Sequence, residues 1–362
     1  MFNSPFSNFR KLDMSKMFTP FIKAVGAGKR SGRYLTEQEA FSAMSMLLNG
    51  EVLPEQKGAF LMLLRVREES VEELTGFVRA CRSFLPSHQQ PFAGKKTADI
   101  DIGCYAGKRR QLPWFVLALS LLQQNGCRLF VHGTSEPHSA RLYIKDTLSR
   151  LGMLGSLQVK STAQAIHKID AQGIAYMDLQ DIHTPLNDII QLRELFGLRC
   201  CANTLARLLN PLNAKYSVQG VHHQGVDDKH INIAANLQDK HVLCFRGEGG
   251  EPEVNPSKIT KLHFYNHGCV ESSTPLDMPA RQSWQIKPKS LDVSLLVKYW
   301  QGDYVNRQVS DYAFNTIIGT LVPIIMMTKS LTIKAATELA VLWWHGRNKA
   351  ELLSVRLNKT AA

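Results

Sequence analysis

The segment Asp99-Ile-Asp-Ile-Gly-Cys-Tyr-Ala-Gly-Lys-Arg-Arg110 decides the fold. A short β-branched strand runs into a glycine-bounded turn, and an apolar helical run follows from Trp114 to Leu122. Strand, glycine turn and helix in this order aim backbone N–H groups at an anion. The cations Lys108, Arg109 and Arg110 follow the turn, where a magnesium-dependent diphosphate enzyme would carry carboxylates nearby. The segment therefore predicts a phosphate-class site that has been adapted to hold a polyanion.

The bulk composition predicts a globular protein with an anionic partner. The 362 residues are 44% hydrophobic, which is enough for a large core and for two domains. The net charge of +12 raises the local concentration of anionic partners. A basic N-terminus is also typical of a solvated tail, so this charge alone does not establish a function.

No segment predicts a membrane span, a secretory signal or a bound cofactor. The longest apolar run, Ala313 to Met327, is shorter than the roughly 20 residues of a span and contains Asn315 and Pro323, so we expect a buried helix. The N-terminus lacks a secretory pattern, which predicts a cytoplasmic protein without a membrane partner. Seven cysteines without a C-x-x-C pair argue against a disulfide framework and against a zinc site.

Helix signals dominate the first 90 residues. Thr36-Glu-Gln-Glu39 is a capping box, Pro54 opens a second helix, and Ser70 caps a third. We expect residues 1–34 to form a basic segment with a first helix, residues 35–90 a helical domain, and residues 97–362 an α/β domain. The proline- and glutamine-rich stretch from Pro86 to Lys96 is the predicted linker.

Short apolar runs alternate with helical patterns beyond residue 96, which favours a mainly parallel sheet with helices on its faces. Ligands of such sheets lie beyond the carboxyl ends of the strands, where Gly103 and His132-Gly133 fall. Between Gln158 and Asp188 the pattern is mostly irregular, apart from the apolar run at Ile174. A helix is expected from Pro137 to Leu151. The predicted strands are Thr97 to Ile102, Cys127 to Val131, Ile174 to Met177, Tyr216 to Val221, His241 to Phe245 and Lys261 to Tyr265.

Several motifs together resemble the anthranilate phosphoribosyltransferase superfamily. They are Leu35-Thr-Glu-Gln-Glu-Ala40, Asn49-Gly-Glu-Val52, Ala59-Phe-Leu-Met-Leu-Leu-Arg65, Gly103, His132-Gly133, Gly197-Leu-Arg199 with Asn203, and Asn210-Pro211. The resemblance implies the nucleoside phosphorylase/phosphoribosyltransferase fold, with a small N-terminal helical domain and a larger α/β domain around a mainly parallel sheet. It also implies a homodimer formed through the N-terminal helices.

Within that superfamily, the chain resembles the divergent TrpD-like branch of the YbiB type, glycosyltransferase-family proteins characterised as nucleic-acid-binding homodimers. The motifs for this are Tyr105-Ala-Gly-Lys-Arg-Arg110, Val131-His-Gly-Thr-Ser-Glu136, Leu198-Arg-x3-Asn-Thr-Leu-Ala-Arg207 and Arg246-Gly-Glu-Gly-Gly-Glu-Pro-Glu253. The resemblance implies a phosphoribosyltransferase scaffold whose ancestral pocket binds DNA or RNA.

The chain departs from the enzyme pattern at the residues that handle diphosphate and metal. The family's Gly-Thr-Gly-Gly-Asp turn is Gly103-Cys-Tyr-Ala-Gly107 here, and Tyr105 replaces a glycine that permits close backbone approach. The family's Asp-Glu pair for Mg²⁺ aligns with Pro252-Glu253, which leaves one carboxylate. We expect no catalytic residue, no metal and no cofactor. The inherited pocket then comprises Gly103, Gly107, His132, Gly133, Thr134, Arg193 and Glu253.

The main functional hypothesis is sequence-independent binding of DNA or RNA by cations that contact phosphates. Tyr105 would add a stacking face for a base. Each residue also has an ordinary interpretation: a solvated loop for the cations, a core aromatic for Tyr105, and a surface cation for Arg193. The predicted nucleic-acid-binding residues are Lys108, Arg109, Arg110, Arg141, Arg207 and Tyr105.

Two alternative functions stay open. The first is a glycosyl- or pentosyltransferase that uses a phosphoribosyl diphosphate donor and Mg²⁺, and the second is a protein-interaction module. Acid–base chemistry at His132 is not predicted, because no carboxylate or serine is spaced with it as a triad would require. His222, His223 and His230 do not follow a recognisable metal-ligand pattern.

Overall fold

A computed structural model describes residues 5–28, 30–86, 97–278, 291–303 and 306–357, with side chains from residue 16 onward. They form two compact units, one of residues up to 86 with His183–Leu209, and one of the remainder. The sequence analysis placed residues 183–209 in the α/β domain, but they pack with the helices of the smaller unit. Beyond Pro86, the predicted linker lies outside the described residues.

The helical unit follows its predicted caps. Its first four helices are α1 (Pro5–Gly26), α2 (Glu37–Leu48), α3 (Pro54–Arg67) and α4 (Val71–Ser83). The side chains of Thr36 and Ser70 accept from the backbone N–H three residues later, so both predicted caps are confirmed. Gly76 allows α2 and α4 to cross closely, because a Cβ there would lie 2.2 Å from the Glu37 carbonyl oxygen. The segment His183–Leu209 adds three short helices, α10 (Thr184–Gln191), α11 (Arg193–Phe196) and α12 (Ala202–Leu205).

The larger unit is built on a nine-stranded sheet within its described residues. The strands are β1 (Ile100–Cys104), β2 (Leu129–Gly133), β3 (Gln158–Val159), β4 (Ile174–Asp178), β5 (Tyr216–Val221), β6 (His241–Arg246), β7 (Thr260–Asn266), β8 (Cys269–Val270) and β9 (Thr274–Leu276). The strand order is β3-β4-β2-β1-β5-β6-β7-β8, and β9 pairs with β7. Strands β1 to β6 pair in parallel, and β7 is antiparallel to β6. The mainly parallel sheet is therefore confirmed.

Helices cover this sheet and bury its core. They are α5 (Phe115–Gln124), α6 (Ile144–Arg150), α7 (Leu154–Leu157), α8 (Thr162–Gln172), α9 (Leu179–Ile182), α13 (Val226–Leu237), α14 (Ser294–Gln301), α15 (Arg307–Lys329) and α16 (Ile333–Gly346). A hairpin of β10 (Glu351–Leu352) and β11 (Val355–Arg356) follows. α15 is long and apolar enough to span a membrane by composition, but 67% of its apolar window is buried in the protein, as expected of the predicted core helix.

Two sequence expectations are corrected here. The helix expected from Pro137 begins only at Ile144, and the residues before it form an irregular loop. The region from 158 to 188, expected to be mostly irregular, contains β3, α8 and the start of α10. Ser161 caps α8 by accepting from the Gln164 N–H, and Gly173 ends it in the left-handed conformation.

Candidate functional site

The turn after β1 has the shape of an anion cradle. Gly107 adopts φ +69°, and a Cβ there would lie 2.9 Å from the Arg141 Cβ, so only glycine fits without strain. The Arg141 guanidinium donates to the carbonyl oxygens of Ala106 and Gly107, at 2.9 and 3.1 Å. With its carbonyls held on one side, the turn directs the N–H groups of Ala106 and Gly107 to a common acceptor.

That acceptor is a carboxylate of the chain itself. Glu251 Oε1 accepts from the Ala106 N–H at 3.0 Å and from the Gly107 N–H at 2.5 Å. The Glu251 residue is 1% exposed. The structure therefore places an internal anion in the cradle that the sequence analysis assigned to a polyanion.

A second carboxylate lies at the beginning of α5. Glu253 Oε2 accepts from the Phe115 N–H at 2.8 Å, and Glu253 Oε1 is paired with the Lys108 ammonium. Lys108 also donates to the Glu248 carbonyl oxygen at 3.3 Å. Lys108 and Glu253 are 1% and 0% exposed, so this ion pair is fully buried.

Burial raises the pKa of the Glu253 carboxyl to about 7. The Lys108 ammonium and the Phe115 N–H oppose this shift, because both stabilise the charged carboxylate. Desolvation is the larger effect, and it leaves the carboxyl close to its midpoint at neutral pH.

The two glutamates do not fit the Mg²⁺ that the family resemblance implies. A magnesium site needs carboxylate oxygens that face the metal and the substrate phosphates. Both oxygens of Glu253 are engaged by an ammonium and a backbone donor, and Glu251 Oε1 holds two backbone N–H groups. Within the described ranges no group of three His, Cys, Asp or Glu residues converges on one point.

His132 lies in a buried polar chain that the sequence analysis missed. Its Nδ1 is 2.6 Å from Tyr105 Oη, and its Nε2 is 3.2 Å from Asp101 Oδ1. All three side chains are fully buried, at 0% exposure. The arrangement joins β1, β2 and the turn, so its position fits a structural role better than contact with a solute. The sequence signal for this buried polar chain was Asp101, a charged residue inside the β-branched run of β1.

A cavity of about 1040 Å³ lies in the larger unit beside the turn. Seven cationic side chains and three carboxylates line it. The carboxylates are Asp227, Asp228 and Glu248; the cations are Lys108, Arg109, Arg110, Arg141, Arg246, Lys258 and Lys261. We call this cavity the basic pocket.

Most of the positive charge in the basic pocket is available to a ligand. Asp227 and Asp228 lie 3.4 and 3.1 Å from the ring nitrogens of His263, and Glu248 accepts from the Asn255 amide at 2.6 Å. Five pocket cations are exposed, and no ion pair joins them to a carboxylate of the residues that the structure describes: Arg109, Arg110, Arg246, Lys258 and Lys261. Because the cations outnumber the carboxylates, an anion would meet a net positive charge there.

The structure brings four predicted cations together and adds others. Lys108, Arg109, Arg110 and Arg141 share the basic pocket, as expected for one anion site. Arg246, Lys258 and Lys261 were not predicted to belong to the site, because they lie at the end of β6, just before β7 and near the start of β7, more than 100 residues further along the chain.

Three predicted contacts with nucleic acid need correction. Lys108 is buried and its ammonium is paired with Glu253, so it is engaged within the protein and does not extend toward a ligand. The Tyr105 ring is 0% exposed and offers no stacking face. Arg207 belongs to the helical unit, is 8% exposed and donates to the Asn203 carbonyl oxygen, so it is not a surface cation.

The remaining predicted pocket residues lie in both units of the chain. Gly133 ends β2 so close to β1 that a Cβ would lie 2.4 Å from the Cys104 carbonyl oxygen. Gly103 lies in β1 opposite His132, and Thr134 is 1% exposed. Arg193 is half-buried in α11 of the helical unit.

Two family models match the chain. Residues 21–85 match the helical bundle domain of a glycosyl transferase family, and residues 145–281 match the α/β domain of a glycosyl transferase family. Both matches agree with the structure, in which the N-terminal helices precede the sheet along the chain.

Sequence relatives are anthranilate phosphoribosyltransferases. That of Beijerinckia indica is 31% identical over 261 residues, covering 71% of this chain and 72% of that protein. That of Symbiobacterium thermophilum is 28% identical over 257 residues, covering 69% and 72%.

Solved structures share the fold. Anthranilate phosphoribosyltransferase from Thermus thermophilus has a TM-score of 0.68 at 19% identity, covering 92% of this chain and 94% of that one. The Saccharomyces cerevisiae enzyme in complex with PRPP and Mg has a TM-score of 0.67 at 15% identity, with the same coverage. At these identities the likeness establishes the fold alone, and it confirms the predicted phosphoribosyltransferase architecture.

Proposed function

The chain belongs to the glycosyl transferase family that includes the anthranilate phosphoribosyltransferases, and on that premise we propose that it binds nucleic acid through the basic pocket. The observation that carries the proposal is the set of five exposed cations, without carboxylate partners among the described residues, around one cavity of about 1040 Å³. Lysine and arginine that contact phosphates bind without regard to base sequence. We propose DNA and RNA as ligands and the cytoplasm as the location.

The electrostatic origin of this binding is tested at Arg109 and Arg110. Both side chains are exposed, so the double variant Arg109→Ala/Arg110→Ala should fold normally. We expect it to bind a labelled oligonucleotide more weakly. For each phosphate that the variant no longer neutralises, the slope of log K against log salt should become shallower by about 0.9 on duplex DNA and about 0.7 on a single strand. Fluorescence anisotropy over a salt series measures both quantities.

A matched pair controls for net charge. Arg150 and Lys334 are exposed cations of the same unit that do not line the basic pocket. The variant Arg150→Ala/Lys334→Ala should keep the affinity and the slope of the unaltered protein. Equal losses in the two double variants would show that net charge, and not the pocket, governs binding, and the proposal would be rejected.

The second candidate is a phosphoribosyl transfer reaction, which the identity to anthranilate phosphoribosyltransferases favours. Because Glu251 and Glu253 occupy the backbone donors of the turn and of α5, we expect no magnesium-dependent heat when phosphoribosyl diphosphate is titrated into the protein. Isothermal titration calorimetry makes the measurement. Micromolar binding that requires Mg²⁺ would favour the transferase over the nucleic-acid-binding function.

We also propose that the protein is a homodimer formed through its N-terminal helices, as the family resemblance implies. An exposed apolar side chain on the N-terminal helices supports this part of the proposal. Val66 in α3 is 84% exposed, and its burial against a second copy would remove apolar surface from water.

A further inference from the structure

We infer that the turn after β1 is an anion-binding cradle plugged by the chain's own carboxylates, so that Glu251 and Glu253 act as an internal substitute for a phosphate-class ligand. This plug does not depend on the proposed nucleic-acid binding, since it involves backbone donors and not the exposed cations. It also accounts for the misfit between these residues and a magnesium–diphosphate ligand.

The donors of the cradle are those that bind oxyanions in proteins generally. Two successive backbone N–H groups, of Ala106 and Gly107, converge on one oxygen atom of Glu251. A third N–H, of Phe115 at the beginning of the ten-residue helix α5, is bound by Glu253. Converging amides next to a helix N-terminus form an anion site, and here carboxylate oxygens occupy the donors on both sides.

Glycine makes the plug sterically possible. The segment from Arg246 to Glu253 approaches its neighbours so closely that a Cβ on Gly247 would lie 1.7 Å from the Glu251 carbonyl oxygen. A Cβ on Gly220 in β5 would lie 2.3 Å from the Glu251 carbonyl carbon. Both contacts are impossible for any other residue, so these glycines let the backbone carry Glu251 into the cradle.

The cradle is held in shape from its outer side. Arg141 binds the Ala106 and Gly107 carbonyl oxygens, and the Lys108 backbone pairs with Leu142 in both directions at 2.8 Å. The turn therefore does not depend on Glu251 alone for its conformation. Removal of the Glu251 carboxylate should leave two buried N–H donors that still converge, and their ligand class is a phosphate oxyanion.

Inorganic pyrophosphate and the variant Glu251→Ala test the plug. We expect the unaltered protein to bind pyrophosphate only weakly, through the exposed cations of the basic pocket, and the variant to bind it more tightly. Each restored hydrogen bond to a charged acceptor should contribute about tenfold or more in affinity. Glu338→Ala removes an exposed carboxylate of α16 and gives the same change in net charge, so this control should bind no better than the unaltered protein.

A neutral side chain of the same shape provides a second variant if Glu251→Ala does not fold. Glu251→Gln keeps an oxygen acceptor for the two N–H groups, so we expect it to fold. A neutral amide oxygen holds these donors more weakly than a carboxylate does, so pyrophosphate should displace it and bind more tightly than to the unaltered protein. Absence of binding by folded variants would overturn the inference. Equal binding by the unaltered protein and by Glu251→Ala would overturn it as well.

A measurement on the unaltered protein decides the matter independently. Hydrogen bonds to a carboxylate are short, and they shift amide proton resonances downfield. We expect such resonances for Ala106 and Gly107, and we expect pyrophosphate to leave them unmoved. Resonances that move on titration with pyrophosphate would mean that the cradle is open, whatever the oligonucleotide affinity of the protein.

Discussion

The variant Lys108→Met should lose about 3–5 kcal/mol of unfolding free energy at pH 8, the loss typical of breaking a buried ion pair at one partner. Lys108 is 1% exposed, and its ammonium is the cation paired with the fully buried Glu253 carboxylate. Without that ammonium, the carboxylate must either stay charged in an apolar environment or take up a proton. Urea denaturation followed by tryptophan fluorescence measures the loss.

Two controls isolate the pair. The double variant Lys108→Met/Glu253→Gln should recover most of the lost stability, because a neutral amide needs no cation and its oxygen can still accept from the Phe115 N–H. Arg109→Met changes the adjacent exposed cation and should alter stability by no more than about 0.5 kcal/mol. Equal losses in Lys108→Met and Arg109→Met would contradict the buried ion pair.

Local signals predicted most of the fold. Capping residues fixed the beginnings of α2 and α4, and β5 was predicted with its observed bounds, because each depends on residues close in sequence. The helices and strands between residues 158 and 188 were mostly not predicted from the sequence. There, β3 is two residues long, and α8 carries polar residues over most of its surface, so its buried positions are few: Ala165, Ile166 and Ile169.

The location of the candidate site could be predicted from the sequence. Which of its cations are buried and which are exposed to a ligand could not. A glycine turn followed by cations marks an anion site, and Arg109, Arg110 and Arg141 do line one cavity. The direction of the Lys108 side chain depends on Glu253, which is 145 residues away. A sequence pattern carries no information on such a pairing, so a buried structural lysine and an exposed binding lysine cannot be distinguished from it.

The replacement of glycine by Tyr105 has a different consequence from the one expected. The sequence suggested a ring at the diphosphate position that could stack on a base. In the structure the ring turns inward and its hydroxyl contacts His132, which also lies beside Asp101. The substitution therefore consolidates the interior under the turn, while Glu251 occupies the turn itself.

The pH dependence of stability should carry the signature of Glu253. Burial raises the pKa of this carboxyl from 4.5 to about 7, so the native state binds a proton that the unfolded chain has already released. A group whose pKa is raised on folding contributes its stabilisation below the unfolded pKa, and that contribution is lost as the pH rises. The window is pH 4.5 to 7, and the shift corresponds to a loss of up to about 3 kcal/mol.

The comparison with Glu253→Gln removes the contributions of all other titrating groups. The unfolding free energy of the unaltered protein, minus that of the variant, should fall by up to about 3 kcal/mol between pH 4.5 and pH 8. Because Lys108 opposes the raised pKa, Lys108→Met should cost less stability at pH 6, where Glu253 is mostly protonated, than at pH 8. Parallel curves for the unaltered protein and Glu253→Gln would mean that the carboxyl is charged throughout this range, and that the Lys108 ion pair outweighs desolvation.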